Sequence, residues 1–204
     1  MNNSIDSFNW KQNYNNYNNV YTSWSYKKIN KNSPRYSAGI LPYTFDQNGK
    51  LFFLLGKDND ADWSDFGGRC EFRDNNVPKN TASREFYEET LGAVLTIQEC
   101  MDKMIETKKV ESKTLNGSPY HMYFVYIDLA NYSDTFNKTA NFLKYQFEQR
   151  TISRLIEKVN IRWVSIDTLL NCIDNRNDSK PISLRGVFYK TISQFRENLI
   201  SLER

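Results

Sequence analysis

Apolar and polar positions fall in blocks along this chain, and the blocks predict alternating strands and helices. Residues 36–45 read as a strand around Ala38-Gly39-Ile40-Leu41-Pro42-Tyr43. Pro42 has no N–H for a sheet ladder, which predicts an edge position or a bulge. Asp46-Gln47-Asn48-Gly49 carries the Asn-Gly hairpin signal. The unbroken run Leu51-Phe52-Phe53-Leu54-Leu55 predicts a buried second strand, antiparallel to the first. A helix is expected over about 80–91, capped by Asn80 or Thr81 and ended by Gly92. Residues 94–109 read as strand-rich, 113–119 as a polar loop turning at Asn116-Gly117, and 120–129 as a strong strand. Residues 133–157 read as mostly helical, 160–165 as a short strand around Trp163, and 166–172 as a short helix. Val187, Phe188, Ile192, Phe195 and Leu199 lie near helical spacing, so 183–202 is expected to form one amphipathic helix. This interleaving predicts an α/β fold, a mixed sheet with helices on both faces.

Residues 1–34 break the pattern. They are rich in Asn with aromatics interspersed, as in Asn13-Tyr14-Asn15-Asn16-Tyr17-Asn18-Asn19. Asn side chains compete for backbone hydrogen bonds, which predicts a low-complexity extension. The other use for Trp10, Tyr14, Tyr17, Tyr21, Trp24 and Tyr26 is packing or base stacking. The chain therefore divides into an extension at 1–34 and a domain at 35–204. The extension can wrap its own domain or exchange between protomers, which would make a homodimer.

Composition narrows the function classes. The 204 residues are 39% hydrophobic and 15% aromatic, enough for a sizeable core. A net charge of +3 suits anionic substrates without demanding nucleic acid. Cys70, Cys100 and Cys172 are scattered and odd in number, which argues against a disulfide scaffold or a thiolate zinc site. The single histidine, His121, excludes an HExxH zinc site, and its place in a strand marks it as structural. No apolar run approaches the roughly 20 residues that cross a bilayer, and no signal-peptide core is present. A soluble cytoplasmic protein with no membrane contact is expected.

The stretch richest in chemistry runs from Asp65-Phe66-Gly67-Gly68-Arg69 to Arg84-Glu85-Phe86-Tyr87-Glu88-Glu89-Thr90-Leu91-Gly92. On a helix Glu85, Glu88 and Glu89 fall within an arc of roughly 100°, so their carboxylates can converge on one point. Such a face is unfavourable by itself and calls for a cation. Mg²⁺ or Mn²⁺, which prefer carboxylate oxygen, would supply it. Gly67 and Gly68 permit close backbone approach, and a carbonyl in that turn can complete a coordination sphere. Arg84 can pair with an acid of the preceding loop, Glu71 or Asp74. Asp58-Asn59-Asp60-Ala61-Asp62 resembles the start of a calcium loop, but Trp63 and Arg69 stand where an EF-hand needs Gly and Glu. It reads as a solvated acidic loop.

This run resembles the Nudix box, in which Gly, five residues, Glu and seven residues lead into Arg-Glu-apolar-x-Glu-Glu-x-Gly. Here five residues separate Gly68 from Asp74, and Arg84 to Glu89 match the helical half. The loop acid is Asp74 rather than Glu. Two extra residues lie around 75–78, and Thr90-Leu91 precede Gly92 where one residue is usual. The resemblance covers about 36–202 and implies an α/β/α sandwich. It also implies hydrolysis of a nucleoside diphosphate linked to another moiety. By resemblance Glu88 and Glu89 are the main metal ligands, and Glu85 orients or deprotonates the attacking water or also binds metal. The Gly67 carbonyl is a further ligand, and Glu157, six residues before Trp163, suits a recruited carboxylate ahead of Glu148 and Glu99. Arg69, and less so Lys57, would add charge near the substrate. If the substrate is capped RNA, Lys108, Lys109, Lys113, Arg150, Arg154 and Lys158 can form a track. A binding module on the same fold is the non-enzymatic reading, against which all three helical glutamates stand.

Overall fold

The computed structural model describes residues 36–105, 107–148, 151–152, 155–174 and 181–202. The expected extension with its aromatics, Arg150 and Arg154 lie outside the described residues, as does the boundary near 34.

The two apolar runs form β1 (Ser37–Phe45) and β2 (Leu51–Asp58), an antiparallel hairpin as expected. Asp46 Oδ1 accepts the N–H groups of Asn48 (2.8 Å) and Lys50 (2.9 Å), which holds the turn. The two strands pair only near the turn, Tyr43–Phe45 against Leu51–Phe53, and then part. The opening is filled by β3 (Trp63–Ser64), which pairs with β2, and β4 (Phe66–Arg69), which pairs with β1. β5 (Lys109–Lys113) and β6 (Pro119–Tyr126) form a second hairpin around Asn116-Gly117. β6 runs parallel to β1, and β7 (Lys158–Ser165) runs antiparallel to β2, giving one seven-stranded mixed sheet.

Pro42 is not at an edge: β1 lies inside the sheet, with β6 on one side and β4 and β2 on the other. The Tyr43 carbonyl accepts from Ile127 N–H (3.0 Å), so Tyr43 faces β6 and Pro42 faces the opposite side. There β4 pairs up to Ile40 and β2 begins at Tyr43. Pro42 sits in the gap between partners, where a missing N–H leaves nothing unpaired.

Both sheet faces are covered, which explains the continuous apolar runs. One core joins Ala38, Ile40, Leu54 and Phe66 of the sheet to Ala82 and Phe86 of α1 (Pro78–Glu89). Cys100 and Met104, from α2 (Ile97–Lys103) and its C-terminal cap, and Phe136 and Ala140 of α3 (Tyr132–Gln146) complete it. The other core joins Leu41, Leu51, Phe53 and Leu55 to α4 (Ile166–Asp174), α5 (Gly186–Gln194) and α6 (Arg196–Ile200). The fold is an α/β/α sandwich. Among the described residues no helix is long and apolar enough to cross a membrane.

Two expected elements differ. Residues 94–109, expected as strand, hold α2. Thr96 and Glu99 form a reciprocal capping box (Glu99 N–H to Thr96 Oγ1 3.2 Å, Thr96 N–H to Glu99 Oε2 2.7 Å), and Cys100 and Met104 bury one face at helical spacing. The single final helix is two, bent at Phe195 (φ −111°, ψ 32°), so that Leu199 packs in the same core as Phe188 and Ile192. Residues 133–157 are mostly helical as expected: α3 ends at Gln146, Phe147 turns extended, residues 151–152 and 155 are helical again, and Glu157 lies in the coil leading into β7.

Candidate active site

β4 has one edge on β1, and its other edge is met by side chains of α1. Gly67 N–H donates to Glu89 Oε2 (2.8 Å), and the Arg69 carbonyl accepts from Arg84 Nη2 (2.9 Å). Two strand residues advance about 6.7 Å and five helical residues about 7.5 Å, so the spacings nearly match. Phe66 and Phe86, edge to face at 5.2 Å between ring centres, lock the helix onto the strand at this register. A Cβ on Gly67 would lie 2.6 Å from Gly39 Cα, and one on Gly68 would lie 2.5 Å from the Glu85 carboxyl carbon. The Gly-Gly pair therefore serves close packing: one glycine against β1, the other against the first glutamate.

Helix α1 begins earlier than expected, with Pro78 at its first position, where its missing N–H would be unpaired in any case. Asn80 and Thr81 lie inside the helix and tie the loop instead. Asn80 Nδ2 donates to the Asp74 carbonyl (3.1 Å) and Thr81 Oγ1 to Asp74 Oδ2 (2.8 Å). The two additional loop residues are taken up by Asn75 (φ 54°) and Asn76 (φ 60°), in the left-handed region that Asn tolerates. At the far end the last helical residue is Glu89. Leu91 (φ 55°) and Gly92 (φ 66°) turn the chain away, with Gly92 N–H on the Tyr87 carbonyl (2.8 Å).

Arg84 takes Asp74 as its loop partner. Nε reaches Oδ1 at 2.9 Å and Nη2 reaches Oδ2 at 3.0 Å, both groups being buried. Glu71 lies 3.9 Å from Arg84 and pairs instead with Arg73 (2.7 Å). Burial alone would push Asp74 up. Arg84, the Glu71 N–H and the Thr81 hydroxyl overcome this and hold Asp74 below the usual carboxylate range.

The three glutamates lie on one side of α1 but do not converge on a common point. Arg84 Nη1 draws Glu85 (2.8 Å) and Glu88 (3.0 Å), and Arg73 also takes Glu88 (2.8 Å). Glu89 turns to Gly67 and to Lys158, whose Nζ is 3.4 Å away. The cations against the acidic face are thus the chain's own. Among the described residues no three acid, His or Cys side chains surround one position.

Lys158, which a capped-RNA substrate would have placed in a track, is fully buried. Its ammonium binds Asp58 Oδ1 (2.6 Å) and Ser64 Oγ (2.8 Å) as well as facing Glu89. Asp58 is therefore part of the site's frame rather than of a solvated loop. A cleft of about 290 Å³ opens beside it, lined by Asp60, Asp62, Glu89, Glu157 and Arg185 among others. Glu157 is thus brought to Glu89. Glu99 is occupied capping α2, Glu148 is exposed and does not line this cleft, and the Arg69 side chain is exposed and does not line it either. His121 lies across the β5–β6 pair, Nδ1 3.2 Å from Glu111, a structural place as expected.

Burial pushes Glu85 up to about 7, with Arg84 opposing, and Glu89 up to about 8, with Lys158 opposing. Glu157 adds repulsion at both. Asp65, buried beneath β4 and hydrogen-bonded by the Tyr120 hydroxyl, is pushed by burial to about 6. The Glu85 and Glu89 carboxylates of α1, largely withdrawn from water, and the Gly67 carbonyl of β4, on which Glu89 docks, form a hard-oxygen donor set. Its chemistry fits a divalent cation.

Similarity of structure decides the fold. The NUDIX domain of Shewanella oneidensis NrtR, solved with ADP ribose, matches with a TM-score of 0.50 at 12% identity, over 89% of this chain and 97% of that one. The chain has the Nudix fold. A Nudix hydrolase from M. smegmatis, RenU, is similar at TM-score 0.48 and 14% identity, over 82% of this chain and 87% of that one. The C. elegans Ap4A hydrolase is similar at TM-score 0.48 and 15% identity, over 81% and 98%. No family model and no curated protein sequence matches the chain. On this Nudix fold, sequence reasoning missed Tyr120 and Arg185, gave Lys158 and Asp58 other places, and named Asp65 without a role. A lysine in a strand looks like any surface cation until its neighbours are known. The one available signal was Asp65, directly before Phe66-Gly67-Gly68.

Proposed function

We propose that the protein is a Nudix hydrolase, a metal-dependent pyrophosphohydrolase. It would cleave a nucleoside diphosphate linked to another moiety by attack of water on a phosphorus. The observation that carries this reading is the two-point docking of α1 on β4, Arg84 to Arg69 and Glu89 to Gly67, which holds the three-glutamate side of α1 in place with Glu89 lining an open cleft together with Glu157. Glu88, Glu89, Glu157 and the Gly67 carbonyl, with Glu85, are the oxygens that would hold Mg²⁺ or Mn²⁺. When bound, the cation supplies neutralisation of the diphosphate and acidification of water.

The chain's own groups do the rest. Glu85 Oε1 is engaged by Arg84 at 2.8 Å, which leaves Oε2 to take a proton. Burial raises Glu85 to about 7, and a base poised near neutrality is well matched to accepting a proton from water. Arg84 fixes the rotamers of Glu85 and Glu88 and joins them to Asp74, so the helix and the loop move as one piece. Lys158 and Gly67 N–H do the same for Glu89. Arg69, exposed at the end of β4, would add positive charge near the substrate. A capped-RNA substrate has less support, because Lys158 is buried and Lys109 pairs with Glu111 at 2.9 Å.

The test is a phosphate-release screen with Mg²⁺ or Mn²⁺ over sugar nucleotides, dinucleoside polyphosphates, free nucleotides and capped RNA. Wild-type protein is expected to cleave at least one class. Glu85→Gln is expected to reduce kcat at least 100-fold, on the order of the contribution of a general base, with an unchanged circular dichroism spectrum. Absence of hydrolysis across the panel would leave a non-catalytic binding module on this fold.

A further inference from the structure

We propose that Arg185 grips a phosphate of the substrate; the inference rests on the hydrolase reading above and adds a substrate-binding residue to it. Among the described residues, the cleft beside Glu89 is lined by five carboxylates and a single cation, Arg185. A diphosphate entering such a cleft meets strong repulsion. Divalent cations at the glutamates would offset it on one side, and a positive group is needed where those ions do not reach.

The backbone carrying Arg185 is pinned. Trp63 N–H donates to the Ser183 carbonyl (2.9 Å) and Arg185 N–H to the Trp63 carbonyl (3.0 Å), so Leu184 bridges Trp63 in parallel sense. Ser183 Oγ also donates to Asp62 Oδ1 (2.5 Å). The segment thus adds a short strand to β3, and α5 begins at the next residue, Gly186. Arg185 therefore leaves the sheet at a fixed point at the mouth of the cleft.

The side chain is 53% exposed, and among the described residues the nearest carboxylate oxygen, Asp58 Oδ2, is 3.7 Å away, beyond hydrogen-bond reach. Asp58 gives its short contact to Lys158 instead, at 2.6 Å. Lys158 is itself committed to Asp58, Ser64 and Glu89 and has no exposure. Lys158 is thus structural, whereas Arg185 lines the cleft, and among the described residues its guanidinium has no short carboxylate contact. A planar fork of N–H groups suits two phosphate oxygens at once, which a lysine does not match.

The experiment uses the full chain with Mn²⁺ and compares wild type, Arg185→Gln and Arg185→Lys. It measures KM and kcat on the panel substrate cleaved fastest, and inhibition by inorganic pyrophosphate. A phosphate contact held alike in ground and transition states predicts a rise in KM and in the pyrophosphate inhibition constant of about tenfold or more for Arg185→Gln, the loss of a charge-assisted hydrogen bond. The turnover number should stay within about threefold, and Arg185→Lys should recover part of the affinity. The melting temperature reports any loss of fold separately. An unchanged KM and inhibition constant in folded Arg185→Gln overturns this inference and leaves the hydrolase reading standing. A wild-type protein that neither cleaves the panel nor binds pyrophosphate overturns both.

Discussion

Replacing Asp74 by asparagine removes the charge on which the loop and α1 are joined. Asp74 accepts four hydrogen bonds: from Arg84 Nε (2.9 Å), Arg84 Nη2 (3.0 Å), Glu71 N–H (2.8 Å) and Thr81 Oγ1 (2.8 Å). Asparagine has one accepting oxygen. Placed where Oδ2 sits, it keeps three of these bonds but turns an N–H₂ group towards Arg84 Nε–H. Breaking a buried ion pair costs about 3–5 kcal/mol. Solvent does not discount this, since the two side chains are only 2% and 7% exposed. Arg84 retains Glu85 and Glu88 as counter-charges, so the lower end, about 3 kcal/mol, is expected. For a domain of this size that is a fall of roughly 6–12 °C in Tm.

The pH dependence has a definite sign. Asp74 is held below its unfolded value, so its contribution is complete above the usual carboxylate pKa and is lost as pH falls through the lower folded value. Urea unfolding of wild type and Asp74→Asn, followed by circular dichroism, should show the full difference at pH 7 and a shrinking one below about pH 4. A difference under about 1 kcal/mol at pH 7, or one that persists undiminished into strong acid, would refute the reasoning.

Gly68→Ala places a methyl group 2.5 Å from the Glu85 carboxyl carbon. Glu85 must swing away, and kcat is expected to fall about 100-fold or more, as for loss of a positioned base; wild-type turnover would show that Glu85 has no part in the chemistry. A second expectation concerns Glu85 and Glu89, which burial raises to about 7 and about 8. A carboxyl with a raised folded pKa stabilises below the unfolded value, and that stability is lost as pH rises through the folded one. Without divalent ions, stability should therefore decline between about pH 5 and 8 from these two groups. Added Mg²⁺ should raise Tm more at pH 8 than at pH 5.5, because protons compete for the same oxygens. Thermal melts at the two pH values check this, and an equal Mg²⁺ increment at both would count against these carboxylates as ligands.

Much of this was legible in local sequence. The hairpins at Asn48-Gly49 and Asn116-Gly117 follow from turn chemistry, and the strands from runs too apolar to face water. The glutamate helix showed itself through Arg84-Glu85-Phe86-Tyr87-Glu88-Glu89, because one turn of helix puts those residues on one side whatever surrounds them. The stretch at 94–109 misled because its apolar residues are sparse, although Thr96 and Glu99 carried the capping signal. Pro42 misled because a proline marks a missing hydrogen bond, and that absence occurs at a change of strand partner as well as at an edge.

The sequence by itself determined which side of a helix the glutamates share, because helical spacing is local. Only the tertiary structure decided where each carboxylate points. Asp74 rather than Glu71 receives Arg84, Glu89 turns to Gly67 and Lys158, and Arg185 reaches a cleft about one hundred residues away from Glu89 along the chain. Those choices depend on β4 filling the opening between β1 and β2 while β7 pairs along the other edge of β2. Charge placement follows distance in space, and a lysine in strand β7 becomes the buried partner of two acids only after the chain has folded back on itself.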